Sequence, residues 1–286
     1  CGADSTAVVD PAPPRVAGTA DNTTAPALKP YARVKTHKAA KPLSKQARTH
    51  AWAGFLGPTH DGVSTETHLL KTWPKTGPAK VWELAAGDGY ASPAIRHPFL
   101  VYPHRVGNDV VVECLHAETG QKFWEHKFAT AYRDRLGYSS GPRSTPVIEG
   151  NRVHIYTAEG FLICLELATG RKIWQRSLSS EFRVPQDFFG AVGTPLLVGD
   201  RLVVNIGKVG GPCVAAFHTL TGRLLWVSGK KWGPGYASPR LVKIHGKSRV
   251  LVFAGGESMP SIGGLMLIDP SNGKLELEFP WRSKKY

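Results

Sequence analysis

Four side chains are the best candidates for touching a ligand: Tyr90, Arg143, Phe188 and Tyr236. Each lies on or just before the first short apolar run of a repeated unit, so folding would gather them around one axis. Aromatic rings and arginine suit contact with a peptide or glycan, because they bury large area and donate hydrogen bonds. The competing reading is packing that fills a channel. Other reactive types offer less. Cys114 and Cys164 hold the same position in consecutive units. Equivalent positions of neighbouring units do not meet the ~4.4–6.8 Å Cα separation of a disulfide. With Cys213 they read as small core residues. No Cys-x-x-Cys or His-rich cluster suggests a metal site. His116 and His218 share a repeat position beside a turn, which favours a structural role, and no residue is assigned to catalysis.

The elements that must position these residues are written in a repeat. The phrases CLHAETGQKFW, CLELATGRKIW, AFHTLTGRLLW and LIDPSNGKLEL return with glycines at Gly120, Gly170, Gly222 and Gly273, intervals of 50, 52 and 51. Each is an apolar run, a Thr-Gly or Asn-Gly turn, and a second run ending in Trp124, Trp174, Trp226 or Leu277. Ser-Pro or Thr-Pro opens each unit, at Pro93, Pro146, Pro195 and Pro239. Two more short runs lie between these markers, such as Arg152–Thr157 and Phe161–Leu165, cut by Gly turns. Short runs rich in Val, Ile, Phe and Tyr read as strands. Four strands every ~40–50 residues are the blades of an all-β propeller. The expected units cover about 86–128, 138–178, 188–228 and 236–279.

The Thr-Gly-x-x-x-Trp phrase resembles the tryptophan-docking motif of the pyrroloquinoline-quinone-like β-propellers, roughly Ala-x-Asp-x-x-Thr-Gly-x-x-x-Trp. Three copies keep Thr-Gly and Trp, and the Asp position holds His116, Glu166, His218 and Asp269. The opening from Trp52, WAGFLGPTHDGVS, is similar to the start of a non-enzymatic branch related to the outer-membrane assembly lipoprotein BamB. The resemblance covers about Trp52 to Tyr286 and implies structural docking by Trp82, Trp124, Trp174 and Trp226 against the turn glycines. It also implies a non-catalytic envelope scaffold that binds protein or glycan. The alternative within the family is a quinone-dependent dehydrogenase holding its cofactor with Ca²⁺. That class carries adjacent cysteines and acidic residues around the metal, and neither stands out here. The expectation is no cofactor and no metal.

Charge adds a compartment. The formal net charge is +14, and residues 22–60 carry seven Lys or Arg before any acid. Residues 1–51, rich in Ala, Pro and Thr, read as a disordered basic tether, with the propeller repeats at 52–286. Such an arm reads as a solvated tether, or else as a segment drawn to anionic lipid or envelope polymer. No nucleic-acid module accompanies it. The start Cys1-Gly2 reads as a bacterial lipoprotein after signal removal, acylated at Cys1, or else as a gene fragment. The lipoprotein reading implies the periplasm or the outer membrane. Finally, Lys80–Leu84 looks like an outer strand, with Trp82 in the docking position and no inner strands before it. The expectation is an open arc, about half of a larger propeller of seven or eight blades.

Overall fold

The computed structural model describes residues 28–41, 50–64, 66, 72–184, 189–233, 235–255 and 262–281. Within these, four four-stranded antiparallel sheets follow a two-stranded one. The two-stranded sheet pairs β1 (Val34–Thr36) with β2 (Trp82–Leu84). Blade 1 is β3 (Ala94–Arg96), β4 (Phe99–Val106), β5 (Asp109–His116) and β6 (Lys122–Ala129). Blade 2 is β7 (Val147–Glu149), β8 (Arg152–Tyr156), β9 (Phe161–Glu166) and β10 (Lys172–Ser177), followed by α1 (Leu178–Phe182). Blade 3 is β11 (Leu196–Val198), β12 (Arg201–Asn205), β13 (Val214–His218) and β14 (Leu224–Ser228). Blade 4 is β15 (Arg240–Ile244), β16 (Lys247–Gly255), β17 (Gly263–Ile268) and β18 (Leu275–Pro280). Each blade is a meander in strict chain order, because tight Gly-containing turns join antiparallel neighbours.

Alternation along the strands gives each blade two apolar faces, and facing sheets bury them in three clusters. Val112, Trp124, Ile155 and Leu165 join blades 1 and 2. Leu162, Leu178, Val204 and Phe217 join blades 2 and 3. Val203, Trp226, Val252 and Met266 join blades 3 and 4. The far face of blade 4 is uncovered among the described residues. Leu277 and Phe279 on β18 are 50% and 54% exposed, so no ring closes over them there.

The outer rim is joined in one repeated way. Trp82 Nε1–H donates to the Ala117 carbonyl (3.2 Å), Trp124 to Leu167 (2.7 Å), Trp174 to Thr219 (3.0 Å) and Trp226 to Pro270 (3.1 Å). Each ring lies over the turn glycine of the following sheet. A Cβ at Gly170 would stand 2.5 Å from the Trp124 ring, and φ there is 73°, so only glycine fits. Trp124 and Trp226 are buried; Trp82 and Trp174 are half-buried.

The inner rim has its own joint. Thr145 N–H donates to Thr194 Oγ1 (3.1 Å), and Thr194 N–H to Ser238 Oγ (2.9 Å). The hydroxyls of the Thr194 and Ser238 markers thus accept from the marker of the blade before, while Pro keeps the next strand's first ladder position free of a donor. Thr194 is buried, so Thr194→Val should lose about 1–2 kcal/mol by leaving the Thr145 amide unsatisfied. Thr194→Ser should restore most of it in a denaturant titration. Equal midpoints for Val and Ser would remove the hydroxyl from the account.

Two expectations need correction. The basic arm is not structureless up to residue 51, and the Trp82 strand is not solitary. Val34, Lys35 and Thr36 pair with Leu84, Glu83 and Trp82. The paired strands turn Val34 and Trp82 onto Gly120 and leave an opposite face on which Glu83 meets His37 (2.8 Å) and Lys80 (2.6 Å). Average composition hides this, because three residues suffice to pair with β2 and only Val34 among them reaches Gly120 of blade 1. Cys1 and the rest of the arm through residue 27 lie outside the described residues, as do residues 42–49.

Candidate functional site

The first strands begin at one mouth of the axis, and there the structure brings three of the four proposed residues together. Tyr90, Arg143 and Tyr236 each stand three residues before the marker prolines Pro93, Pro146 and Pro239. The Arg143 guanidinium lies 5.0 Å from the Tyr90 ring centre and 4.9 Å from that of Phe189. Phe189 meets Tyr236 edge to face at 5.2 Å and Tyr138 at 6.3 Å. Phe188 lies outside the described residues. Its neighbour Phe189 supplies the third-blade ring; two adjacent phenylalanines cannot be told apart by sequence.

A loop over residues 130–143 carries Tyr138 and Arg143, and a buried arginine fixes it. Arg105 donates to the carbonyls of Tyr132 (2.6 Å), Ser140 (3.1 Å) and Gly107 (2.7 Å). Asp134 caps the same loop, accepting from the Leu136 amide (2.8 Å) and the Ser139 amide (3.3 Å). It also pairs with Arg143. Burial alone would raise the Asp134 carboxyl. Those amides and the guanidinium outweigh it and hold the group below its ordinary value.

The arrangement assigns different roles to the cluster. Tyr90 and Tyr138 are 59% and 67% exposed. Arg143 is nearly buried beneath the Tyr90 and Phe189 rings, its charge balanced by Asp134. Arg143 therefore fixes the rings by cation–π contact rather than offering a free charge. The result is a rigid aromatic shelf, suited to stacking on a sugar face or an apolar side chain. Tyr138, Asp134 and Arg105 were not singled out in the sequence. Only the buried loop contacts reveal them.

Three side chains at the repeated turns accept local backbone hydrogen bonds. His116 Nδ1 accepts from the Glu118 amide (3.3 Å), His218 Nδ1 from Leu220 (3.2 Å), and Asp269 Oδ1 from Ser271 (2.8 Å). Histidine thus stands in for aspartate as an acceptor two residues ahead, which explains how the turn survives the exchange. Cys114, Cys164 and Cys213 are free and buried, and burial pushes the Cys164 thiol up to about 12. Among the described residues, no three His, Cys, Asp or Glu side chains converge as a cation site.

No curated protein matches the chain. Among solved structures, quinohemoprotein alcohol dehydrogenase from Comamonas testosteroni aligns with a TM-score of 0.47 at 15% identity, covering 69% of this chain and 36% of its own. BamB from Moraxella catarrhalis aligns with a TM-score of 0.40 at 15% identity, covering 87% of this chain and 78% of its own. The C-terminal domain of PilY1 from Pseudomonas aeruginosa aligns over 46% of this chain and 30% of its own, at 21% identity and a TM-score of 0.37. The chain spans 36–50% of the length of the first three solved structures it matches. One family model matches residues 108–285, well over half of the chain. On that match, the chain belongs to the family described as outer membrane protein assembly factor BamB.

Proposed function

We propose that this protein is a non-catalytic scaffold of the bacterial envelope that presents its aromatic shelf to a protein or glycan partner. The observation that carries this reading is the clustering of Tyr90, Tyr138, Phe189 and Tyr236 over a neutralised Arg143. Large exposed rings on a fixed base are what interface anchors look like. The family's description, an outer membrane protein assembly factor, supports an envelope protein as the partner.

A quinone held with Ca²⁺ does not suit these residues. The mouth offers rings and an arginine, and Asp134, the carboxylate beside them, is already committed to Arg143 and loop amides. Carboxylate-poor surroundings are a weak host for a hard divalent cation.

A photo-crosslinking amino acid placed at Tyr90 or Tyr138 tests the scaffold reading in living cells. Both positions should capture one envelope component, and Leu220, an exposed turn residue of blade 3, should not. Equal labelling from all three sites would overturn the assignment of the shelf. Dye-linked alcohol or sugar oxidation after addition of quinone and Ca²⁺ would overturn the non-catalytic reading.

A further inference from the structure

The innermost strand of every blade has an edge facing the axis, and the chain itself covers two of the four. Trp52 exchanges both backbone hydrogen bonds with Ile95 of β3, each 2.8 Å. Ala53 then accepts from Ile148 N–H of β7 (2.7 Å). The segment runs no further along the edges. Leu56 and Gly57 adopt left-handed backbone angles, with φ of 62° and 76°, and turn the chain away.

The same position in blade 3 is Leu197. Ile148 and Leu197 each precede a strand-end residue, Glu149 or Val198, that pairs across a two-residue turn with Arg201 or its blade 2 counterpart Arg152. The alternation of an antiparallel ladder therefore points both amides at the axis. Ile148 finds Ala53 there, but Leu197 N–H has no backbone partner among the described residues.

Leu197 lines a cleft of about 280 Å³ between the Gly54–His60 segment and the inner strands of blades 2, 3 and 4. Its walls are mostly apolar, including Phe55, Ile148 and Leu196. Arg240 also lines it, and its guanidinium makes no hydrogen bond or ion pair among the described residues. Two ionisable groups feel Arg240 without bonding it. Asp61 is engaged by the Thr59 hydroxyl (2.6 Å) and the Val63 amide (2.9 Å). His60 is drawn below its ordinary value by burial, so its ring is neutral at neutral pH.

We propose that this cleft binds the carboxylate end of a short extended peptide. Leu197 N–H bonds a peptide carbonyl, as Ile148 bonds Ala53, and Arg240 holds the carboxylate in a charge-assisted pair. The chain's own Trp52–Ala53 segment shows the backbone geometry, and the unpaired guanidinium supplies the charge complement. The cleft is separate from the aromatic shelf, whose rings do not line it.

Isotope-labelled protein can be titrated with a randomised tetrapeptide pool bearing free C-terminal carboxylates, with the same pool amidated, and with chitotetraose. The Leu197 amide and Arg240 side-chain resonances should move with the acid pool. The amidated pool should bind about tenfold more weakly, the loss expected of a charge-assisted hydrogen bond. Arg240→Gln should erase the difference between the pools. Leu197→Pro removes the outward amide, at a position where an edge strand tolerates proline, together with a side chain packed between blades 2 and 3, and should weaken both pools. Should that variant fail to fold, Arg240→Gln still decides. No movement at millimolar peptide, equal binding of both pools, or movement with the sugar alone would overturn the proposal.

Discussion

Trp124→Ala should lower the unfolding free energy by about 3–5 kcal/mol, the usual cost of truncating a buried large aromatic residue. In a domain of this size that is a fall in melting temperature on the order of 10 °C. The ring is buried in the cluster between blades 1 and 2 and covers Gly170. Its Nε1–H satisfies the Leu167 carbonyl at 2.7 Å. Removal opens a cavity and orphans that acceptor together. Trp124→Phe should recover most of the packing and lose about 1 kcal/mol for the hydrogen bond. Leu277 holds the equivalent place in blade 4 and is half-exposed, so Leu277→Ala should stay within about 0.5 kcal/mol. Calorimetry on the three variants is the check. A Trp124→Ala midpoint no lower than that of Leu277→Ala would contradict the role given to the rim contacts.

Glu113→Ala should be comparably damaging, at about 3–5 kcal/mol, because it breaks a fully buried pair rather than a surface one. Glu113 and His104 are both 0% exposed, with His104 Nε2 3.1 Å from Glu113 Oε1. His104 Nδ1 accepts from the Gly87 amide (2.6 Å), and the Tyr31 hydroxyl donates to Glu113. Burial, then that carboxylate, push the Tyr31 phenol up, so it remains a donor across the whole physiological range. Tyr31 ties the arm to blade 1, and Glu113→Ala should free it. Trypsin should then cleave after Arg33 and Lys35, sites that the pairing of the arm should protect in the parent protein. Replacing His104 and Glu113 together by Leu should be milder, since neither the buried ring nor the buried carboxylate is then left without the other, and only the half-buried Gly87 amide and Tyr31 hydroxyl lose an acceptor. Wild-type melting of Glu113→Ala with the arm still protected would overturn this reading.

Much of the fold is legible because its signals are local. The 50-residue period, the Gly turns and the Ser/Thr-Pro markers each depend on a few adjacent residues. So does the gathering of Tyr90, Arg143 and Tyr236, since a shared place in the repeat becomes a shared place around the axis. The arm shows the limit. Val34–Thr36 is three residues long and meets a partner 46 or more positions away, too short for any periodicity to declare it. Glu113 and His104 sit on strands where alternation calls for apolar residues, and nothing in the sequence says that Tyr31 will cover them.

The sequence by itself determined the blade, its turns and which residues recur at the axis, because backbone sterics and strand alternation act over neighbouring positions. Only the tertiary structure decided how those residues are used. It set Arg143 against Asp134 and turned it into a support for the rings. It laid Trp52 and Ala53 along two inner edges and left Leu197 and Arg240 facing a cleft. These outcomes rest on long-range neutralisation of charge and on which backbone donors find partners, and both are fixed only when distant segments meet.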